Sequence, residues 1–163
     1  MGKGLQAMIE EASIPESFKV GQKFENYVRE TIFIDRYYDL MERTHQYLTN
    51  KKDFVESTLK PDFTFRDRLT KQVFYVEVKF RTRLYNGKIS VCNEYQLPRY
   101  QYYDLEHPTF LLLGMGEKPE KPHFLSLIPI GKVQYPDLFP SFVRKFEVKV
   151  DEALPSKILW VNY

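Results

Sequence analysis

The sequence has one cysteine, no apolar run as long as a membrane span and no glycine-rich phosphate loop. Cys92 alone cannot form an internal disulfide, so nothing in the chain demands an oxidising compartment. No window approaches the roughly 18 apolar residues of a spanning helix, and the N-terminal stretch lacks an apolar segment of signal-peptide length. These absences predict a cytoplasmic protein without membrane contact.

Several common catalytic arrangements are absent as well. The three histidines show no metal-ligand spacing, and no nucleophile elbow is present. Cys92 is open to two interpretations, a thiol nucleophile or a small residue buried at a strand end, and the second is favoured.

The chain has the size of one domain. Its 163 residues and 19.5 kDa allow a single hydrophobic core, and 16% of the residues are aromatic. We predict one domain over 1–163, with a core at about 16–131 and a C-terminal extension at 132–163.

Positive charge is concentrated in the middle of the chain. Between Lys60 and Tyr100 there are nine basic and four acidic residues, a net charge of +5, whereas the rest of the chain carries −3. This asymmetry suits a polyanionic partner, but a solvated strand face explains it equally well.

Hydrophobic periodicity predicts an α/β fold. A helix is expected from Pro15 to about Ile34, capped by Ser17, and from Lys60 onward the period changes to two. The further expectations are a hairpin over 61–81, a turn at Asn86-Gly87, a helix within 93–107 and strands within 108–116 and 123–130. A mixed central sheet flanked by helices accommodates this order.

Two regions are harder to assign. Residues 35–52 can continue the first helix or form a strand around Tyr37 to Glu42, and the strand is favoured. Near the C-terminus we expect a short helix within 136–146, interrupted by Pro140, and a terminal strand over 157–163.

The expected hairpin carries charged residues among apolar ones. Glu77 and Lys79 share one strand face, while Val76, Val78 and Phe80 share the other. The hairpin brings Asp62, at the start of the partner strand, beside Glu77. Two carboxylates and the main-chain carbonyl of Val78 make a hard-cation site of the kind that Mg²⁺ prefers.

Such a site suits phosphodiester hydrolysis. The metal can bind a phosphodiester oxygen and lower the pKa of water, while Lys79 orients or deprotonates that water or stabilises the transition state. Glu25 on the first helix can add a metal ligand, directly or through water.

These residues resemble the PD-(D/E)xK nuclease superfamily, which includes restriction endonucleases, Holliday junction resolvases and RecB-like exonucleases. The resemblance rests on Asp62, the Glu77-Val78-Lys79 triplet and the helix acid Glu25, and it covers roughly 21–116. It implies a restriction endonuclease-like αβββαβ core, DNA as substrate, metal binding by the acids and catalytic assistance by the lysine. Mn²⁺ is expected to replace Mg²⁺.

A second resemblance is to the QxxxY pattern of the RecB-like branch. Gln96 and Tyr100 fit it and would contact the nucleic-acid backbone or support Lys79. Pro98 disfavours helical geometry at Leu97, so an alternative is that Gln96 lies before the start of the helix. If the chain is a nuclease, phosphate contacts are expected from the basic residues Arg81, Arg83, Lys88 and Arg99.

The motif occurs twice. Pro136-Asp137 is followed by Glu147-Val148-Lys149, but only ten positions separate the two acids and Pro140 lies between them. A hairpin that joins these acids is hard to build, so the first copy is preferred.

Other interpretations stay open. Asp62 alone suits a turn after proline, and Glu77 with Lys79 suits the solvated face of an edge strand. At the level of function, the alternatives are a catalytically silent nuclease-like module that binds nucleic acid or protein, and a glycosidase, against which Lys79 argues. RNA as substrate, a homodimer and a protein partner that supplies substrate recognition are also compatible with the sequence.

Overall fold

The computed structural model describes residues 16–44 and 60–163. The helices are α1 (Glu16–Tyr27, continued by a π-helical turn, Val28–Ile32), α2 (Gln96–Glu106), α3 (Pro140–Val143) and α4 (Ser156–Trp160). The strands are β1 (Tyr38–Arg43), β2 (Phe63–Asp67), β3 (Val73–Arg81), β4 (Ile89–Ser90), β5 (Thr109–Met115), β6 (Phe124–Pro129), β7 (Asp137–Leu138) and β8 (Glu147–Val148). Across these two described ranges, no helix has the length and apolar character needed to cross a membrane.

Six strands form one mixed sheet in the order β1-β2-β3-β5-β6-β8. Strands β3 and β5 are parallel and connected through α2, whereas every other pair in this sheet is antiparallel. The predicted fold class is confirmed, since α1, β1, β2, β3, α2 and β5 follow in the expected αβββαβ order. The favoured strand near 37–42 is confirmed as β1; the predicted helix start at Pro15 and positions 45–52 lie outside the described residues.

Helix α1 covers one face of the sheet. Phe24, Val28 and Ile32 recur at helical spacing and are fully buried, which confirms the predicted helix as an amphipathic one. They belong to an aromatic-rich core in which Phe33 stacks on Phe65 with ring centroids 4.9 Å apart. The helix begins at Glu16 in the described chain, so the expectation that Ser17 caps it is wrong.

The opposite face of the sheet is covered by α2 and by the segment from Ile130 to Phe146. Its core includes Leu97 and Tyr100 of α2 together with Leu111 and Leu113 of β5. Tyr75 on β3 packs edge-to-face against Tyr103 of α2, with centroids 5.4 Å apart. Odd-numbered residues of β3 therefore face α2.

The C-terminal segment differs from expectation. Residues 157–163 do not form a strand, because the chain from Ser156 to Trp160 is helical. Both of these residues donate side-chain hydrogen bonds to the buried carboxylate of Asp67 at the end of β2. Pro140 does not interrupt a helix either. It begins α3, where its missing N–H and fixed φ are tolerated.

Gly114 allows α1 to lie close to the sheet. A methyl carbon at this position of β5 would lie 2.5 Å from two ring carbons of Phe24 and 3.3 Å from the ring of Phe80. The ring of Phe24 is fully buried and has no free space to move into. Because Glu25 is the next residue, this contact also fixes the position of the helix acid.

We predict opposite effects for two Gly→Ala substitutions. Gly114→Ala overpacks the contact with Phe24 and should lower the free energy of unfolding by about 1–3 kcal/mol. Gly21→Ala, in helix α1 with no atom within 4 Å of its added carbon, should raise it by roughly 0.5–1 kcal/mol. Urea unfolding of both variants measures the difference. Equal stabilities would show that the close approach of α1 is not constrained by Gly114.

Candidate active site

Asp62 and Glu77 meet where β2 begins beside the middle of β3. Glu77 is 6% exposed and hydrogen-bonded through its carboxyl group to the carboxyl group of Asp62. Burial, and then the charge of Asp62, raise the pKa of Glu77 well above its ordinary value. Both effects favour the protonated form of Glu77, in which its carboxyl group can donate the hydrogen bond to Asp62.

The main chain of β3 holds Asp62 in place. The N–H of Val78 donates a 2.9 Å hydrogen bond to Oδ2 of Asp62, at the point where the β2–β3 ladder ends. In an antiparallel ladder the N–H and C=O of one residue point to the same side of its strand. The carbonyl of Val78 therefore faces the edge occupied by Asp62, as a third oxygen beside the two carboxyl groups.

Lys79 and Tyr100 complete the α2 side of the pair. The Nζ atom of Lys79 lies 5.9 Å from the ring centroid of Tyr100. The hydroxyl of Tyr100 donates to Glu77, and burial raises the pKa of this hydroxyl above its ordinary value. Tyr100 thus orients Glu77 and contacts Lys79 through its ring.

Glu25 approaches from α1. Its Oε1 lies 3.4 Å from Nε of Arg43, whose NH2 group also donates a 2.7 Å bond to Asn26. Burial and the charge of Asp62 raise the pKa of Glu25 to about 8 despite Arg43. The three acids are therefore electrostatically linked, with Asp62 between the other two.

A cleft of about 540 Å³ opens over these groups. It is lined by α1 around Glu25, by Asp62, by β3 from Glu77 to Arg81, and by the following loop as far as Tyr85. Acidic groups lie inside the cleft and the basic side chains of Lys79 and Arg83 lie along it. The predicted cluster is thus brought together from three elements of the fold.

The donor set fits a magnesium ion. Within the described ranges no group of three or more Asp, Glu, His or Cys side chains is close enough to hold a metal ion. Mg²⁺ needs fewer protein ligands, since it keeps several waters and commonly binds one or two carboxylates together with substrate phosphate. Asp62, Glu77 and the Val78 carbonyl satisfy that requirement.

The predicted phosphate contacts have different surroundings. The guanidinium of Arg81 is half-buried and donates to the carbonyls of Ser90 at 2.6 Å, Phe80 at 3.0 Å and Val91 at 3.4 Å. Arg81 therefore joins β3 to β4, and its predicted phosphate contact finds no support. Arg83, in contrast, is exposed and donates to the hydroxyl of Tyr85.

The two remaining basic residues of that set are also partly accessible. Lys88 lies over the ring of Phe139, 4.8 Å from its centroid. Arg99 is half-buried on α2. The predicted turn before Lys88 is confirmed, with Asn86 at φ 50° and Gly87 at φ 75°.

Gln96 has a structural role. Its Oε1 accepts a bond from the N–H of Asn93, and Oδ1 of Asn93 accepts one from the N–H of Gln96. These reciprocal bonds resemble a capping box and stabilise the turn that leads into α2. Gln96 is the first residue of the helix and Pro98 is accommodated in the first turn. Because its side chain is bonded to Asn93, we do not include Gln96 among the residues of the candidate active site.

The structure also separates the alternatives left by the sequence. Asp137 lies in the small β4–β7 sheet whereas Glu147 lies in β8 of the main sheet, so the second motif copy forms no carboxylate pair. Cys92 is buried, and burial raises the pKa of its thiol, which argues against a thiol nucleophile. Arg43 is a site residue that the sequence did not reveal.

No known protein family matches the chain, and no curated protein matches it. Among solved structures, it is similar to Hjc, a Holliday junction resolvase from the archaeal hyperthermophile Archaeoglobus fulgidus, with 9% identity and a TM-score of 0.46. The similarity covers 68% of this chain and 81% of that chain. At these values the similarity transfers no activity, and the function has to be argued from the site itself.

We predict that Asp62→Asn stabilises the metal-free protein. The amide of Asn can still accept the bond from Val78, and the substitution removes a negative charge beside Glu77 and Glu25. In EDTA the free energy of unfolding should therefore rise by about 1 kcal/mol, which corresponds to a Tm higher by roughly 2–4 °C. Asp39→Asn is the matched control: it loses the ion pairs of Asp39 with Arg66 and Arg68 and should lower Tm. A lower Tm for Asp62→Asn would contradict the proposed repulsion.

Proposed function

We propose that the chain is a metal-dependent nuclease of the PD-(D/E)xK superfamily that hydrolyses phosphodiester bonds in DNA. The observation that carries this proposal is the pairing of half-buried Asp62 with buried Glu77, with Lys79 beside them on β3. Placing a carboxyl group out of water beside a second acid is costly for folding, and such a pair within a cleft is typical of a functional site.

In this proposal Asp62, Glu77 and the carbonyl of Val78 hold Mg²⁺ or Mn²⁺. When bound, the ion would lower the pKa of a water molecule and stabilise negative charge on the phosphate. Glu25 acts through water or after release from its contact with Arg43. Tyr100 positions Glu77 by donating its hydroxyl hydrogen bond.

The reaction consumes one water molecule. The water oxygen forms a bond to phosphorus, the bond from phosphorus to one sugar oxygen breaks, and a proton reaches that leaving oxygen. Lys79 donates hydrogen bonds to the phosphate as negative charge develops, and it orients the attacking water. Arg83, on the exposed loop beyond β3, contacts the backbone phosphates of the substrate.

A catalytically silent module is the second candidate. It is favoured by the lack of a three-residue ligand group in the described ranges and by the ion pair that occupies Glu25. Such a module would bind nucleic acid or a protein without binding magnesium. A cytoplasmic location, and a homodimer or partner that supplies recognition, stay predictions.

The catalytic test uses the two copies of the motif. Purified protein should cleave DNA when Mg²⁺ or Mn²⁺ is added, and Asp62→Ala, Glu77→Ala or Lys79→Ala should each lower the rate by roughly 10²–10⁴-fold. Glu147→Ala and Lys149→Ala change the same residue types in the second copy, on β8 and just after it, and should leave the rate unchanged. Unaltered cleavage by Asp62→Ala would place the active site elsewhere.

Metal binding can be tested without catalysis. Magnesium at a hundredfold excess over Kd should stabilise the folded protein by about 2.7 kcal/mol, which thermal unfolding detects as a higher Tm. Asp62→Ala should lose this shift because one of the two carboxylates is gone, whereas Asp137→Ala, the matched acid of the second copy, should keep it. Absence of a shift in the unmodified protein would favour the silent module.

A further inference from the structure

A second groove lies on the other side of the loop that borders the acidic cleft. Arg83 and Tyr85 line the acidic cleft, and Lys88 lines a groove of about 650 Å³. Tyr85 and Lys88 are joined by two main-chain hydrogen bonds across the Asn-Gly turn, of 2.8 and 2.9 Å. We call this groove, between the turn and the segment from Lys132 to Phe142, the aromatic groove.

The pairing of β4 with β7 builds the aromatic groove. Ile89 pairs with Leu138 in antiparallel register, so Lys88 before β4 lies next to Phe139 after β7. The Nζ atom of Lys88 is 4.8 Å from the Phe139 ring centroid. The Phe139 side chain is nevertheless 58% exposed, so much of its surface away from Lys88 is open to a ligand.

Aromatic and basic side chains line this groove together. Tyr135 is 67% exposed, and Lys132 has its Nζ atom 5.6 Å from the ring centroid of Phe146, which is buried beneath it outside the groove lining. The groove has two lysines and one acid, Asp137, in its lining. Flat exposed rings flanked by cations suit a ligand that has flat bases and a negatively charged backbone.

A comparison within the molecule supports this assignment. A third groove, between β8 and α4, has a similar volume of about 580 Å³. It is lined by Glu147, Glu152 and one base, Lys149, and it contains no aromatic residue. Its acidic lining would repel a nucleic-acid strand. The aromatic groove is therefore distinguished by its aromatic and basic lining and not by its volume.

We propose that the aromatic groove binds unpaired nucleotides of a DNA strand, with bases stacked on Phe139 and Tyr135 and phosphates at Lys88 and Lys132. This inference rests on the proposed nuclease function and narrows its substrate to DNA with a single-stranded segment beside the scissile bond. A paired base has both faces covered by its neighbours in a duplex and cannot stack on these rings.

Fluorescence anisotropy in EDTA tests binding without cleavage. The probe is a labelled oligothymidylate of about 20 nucleotides, longer than the roughly 4–16 nucleotides that one single-strand-binding OB fold covers. Phe139→Ala and Tyr135→Ala should each weaken binding by roughly 5- to 100-fold, as expected for loss of one stacked base. Tyr102→Ala is the matched control, because Tyr102 is 69% exposed on α2 outside all three grooves.

The electrostatic part has its own readout. Lys132→Gln should reduce the slope of log affinity against log salt by about 0.7, the value for one phosphate contact on a single strand, whereas Lys157→Gln on α4 should not. Affinity for a blunt duplex of the same length should change less than twofold in the groove variants. Circular dichroism confirms that these exposed substitutions leave the fold intact.

The outcomes separate this inference from the proposed nuclease. Asp62→Ala should abolish cleavage and keep the affinity for oligothymidylate, which would support both. Groove variants that bind the oligonucleotide as tightly as the parent, or that weaken duplex binding by the same factor, would overturn the groove assignment without affecting the nuclease. Groove-dependent binding in a protein that cleaves no DNA would support the groove and overturn the nuclease.

Discussion

The hydrogen bond from the Val78 N–H to Asp62 is the interaction on which the arrangement of the site depends. It lies just beyond the last residue pair of the β2–β3 ladder. There the N–H of Val78 bonds to a carboxylate oxygen of Asp62, where a continued ladder would offer a main-chain carbonyl. That replacement directs a negatively charged group to the edge of β3. It also fixes which side of the strand carries the free carbonyl of Val78.

The alternation of β3 then assigns separate tasks to neighbouring residues. Val76, Val78 and Phe80 pack into the core under α1, while Glu77 and Lys79 face α2. Each charged residue is thus held between two buried apolar ones, and the strand cannot shift by one residue without exposing its apolar side. The stability of the aromatic core offsets the cost of holding these acids close together, whereas acids on a loop could move apart.

Local patterns were sufficient to predict the hairpin, the αβββαβ order and the approach of Asp62 to Glu77. They were insufficient where a side chain depends on long-range contacts. Arg43 reaches Glu25 after a register irregularity between Leu40 and Glu42 in β1, which no periodicity reveals. Arg81 is part of a basic run in the sequence, yet its partners are carbonyls made available by the short strand β4.

The terminal helix shows the same limit of local patterns. Its apolar, partly β-branched sequence is typical of a strand. The helix is stabilised instead by Asp67, a residue about ninety positions earlier that accepts bonds from Ser156 and Trp160. Asp67 also accepts a local bond from the N–H of Leu69, but its second carboxylate oxygen takes both donors from α4, as a buried carboxylate requires several donors.

The distribution of charge limits what the cleft can bind. Three linked acids inside it repel a phosphate, whereas Lys79 and Arg83 attract one, so a bare polyanion is held at the basic edge and excluded from the acidic interior. In the proposed nuclease, a divalent cation held by these acids would add positive charge to the interior and favour a phosphate beside Lys79. The exposed loop that carries Arg83 continues through the Asn-Gly turn into the wall of the aromatic groove. In the proposed nuclease, a strand with a phosphate at Lys79 would follow that loop and place its next unpaired bases against Phe139.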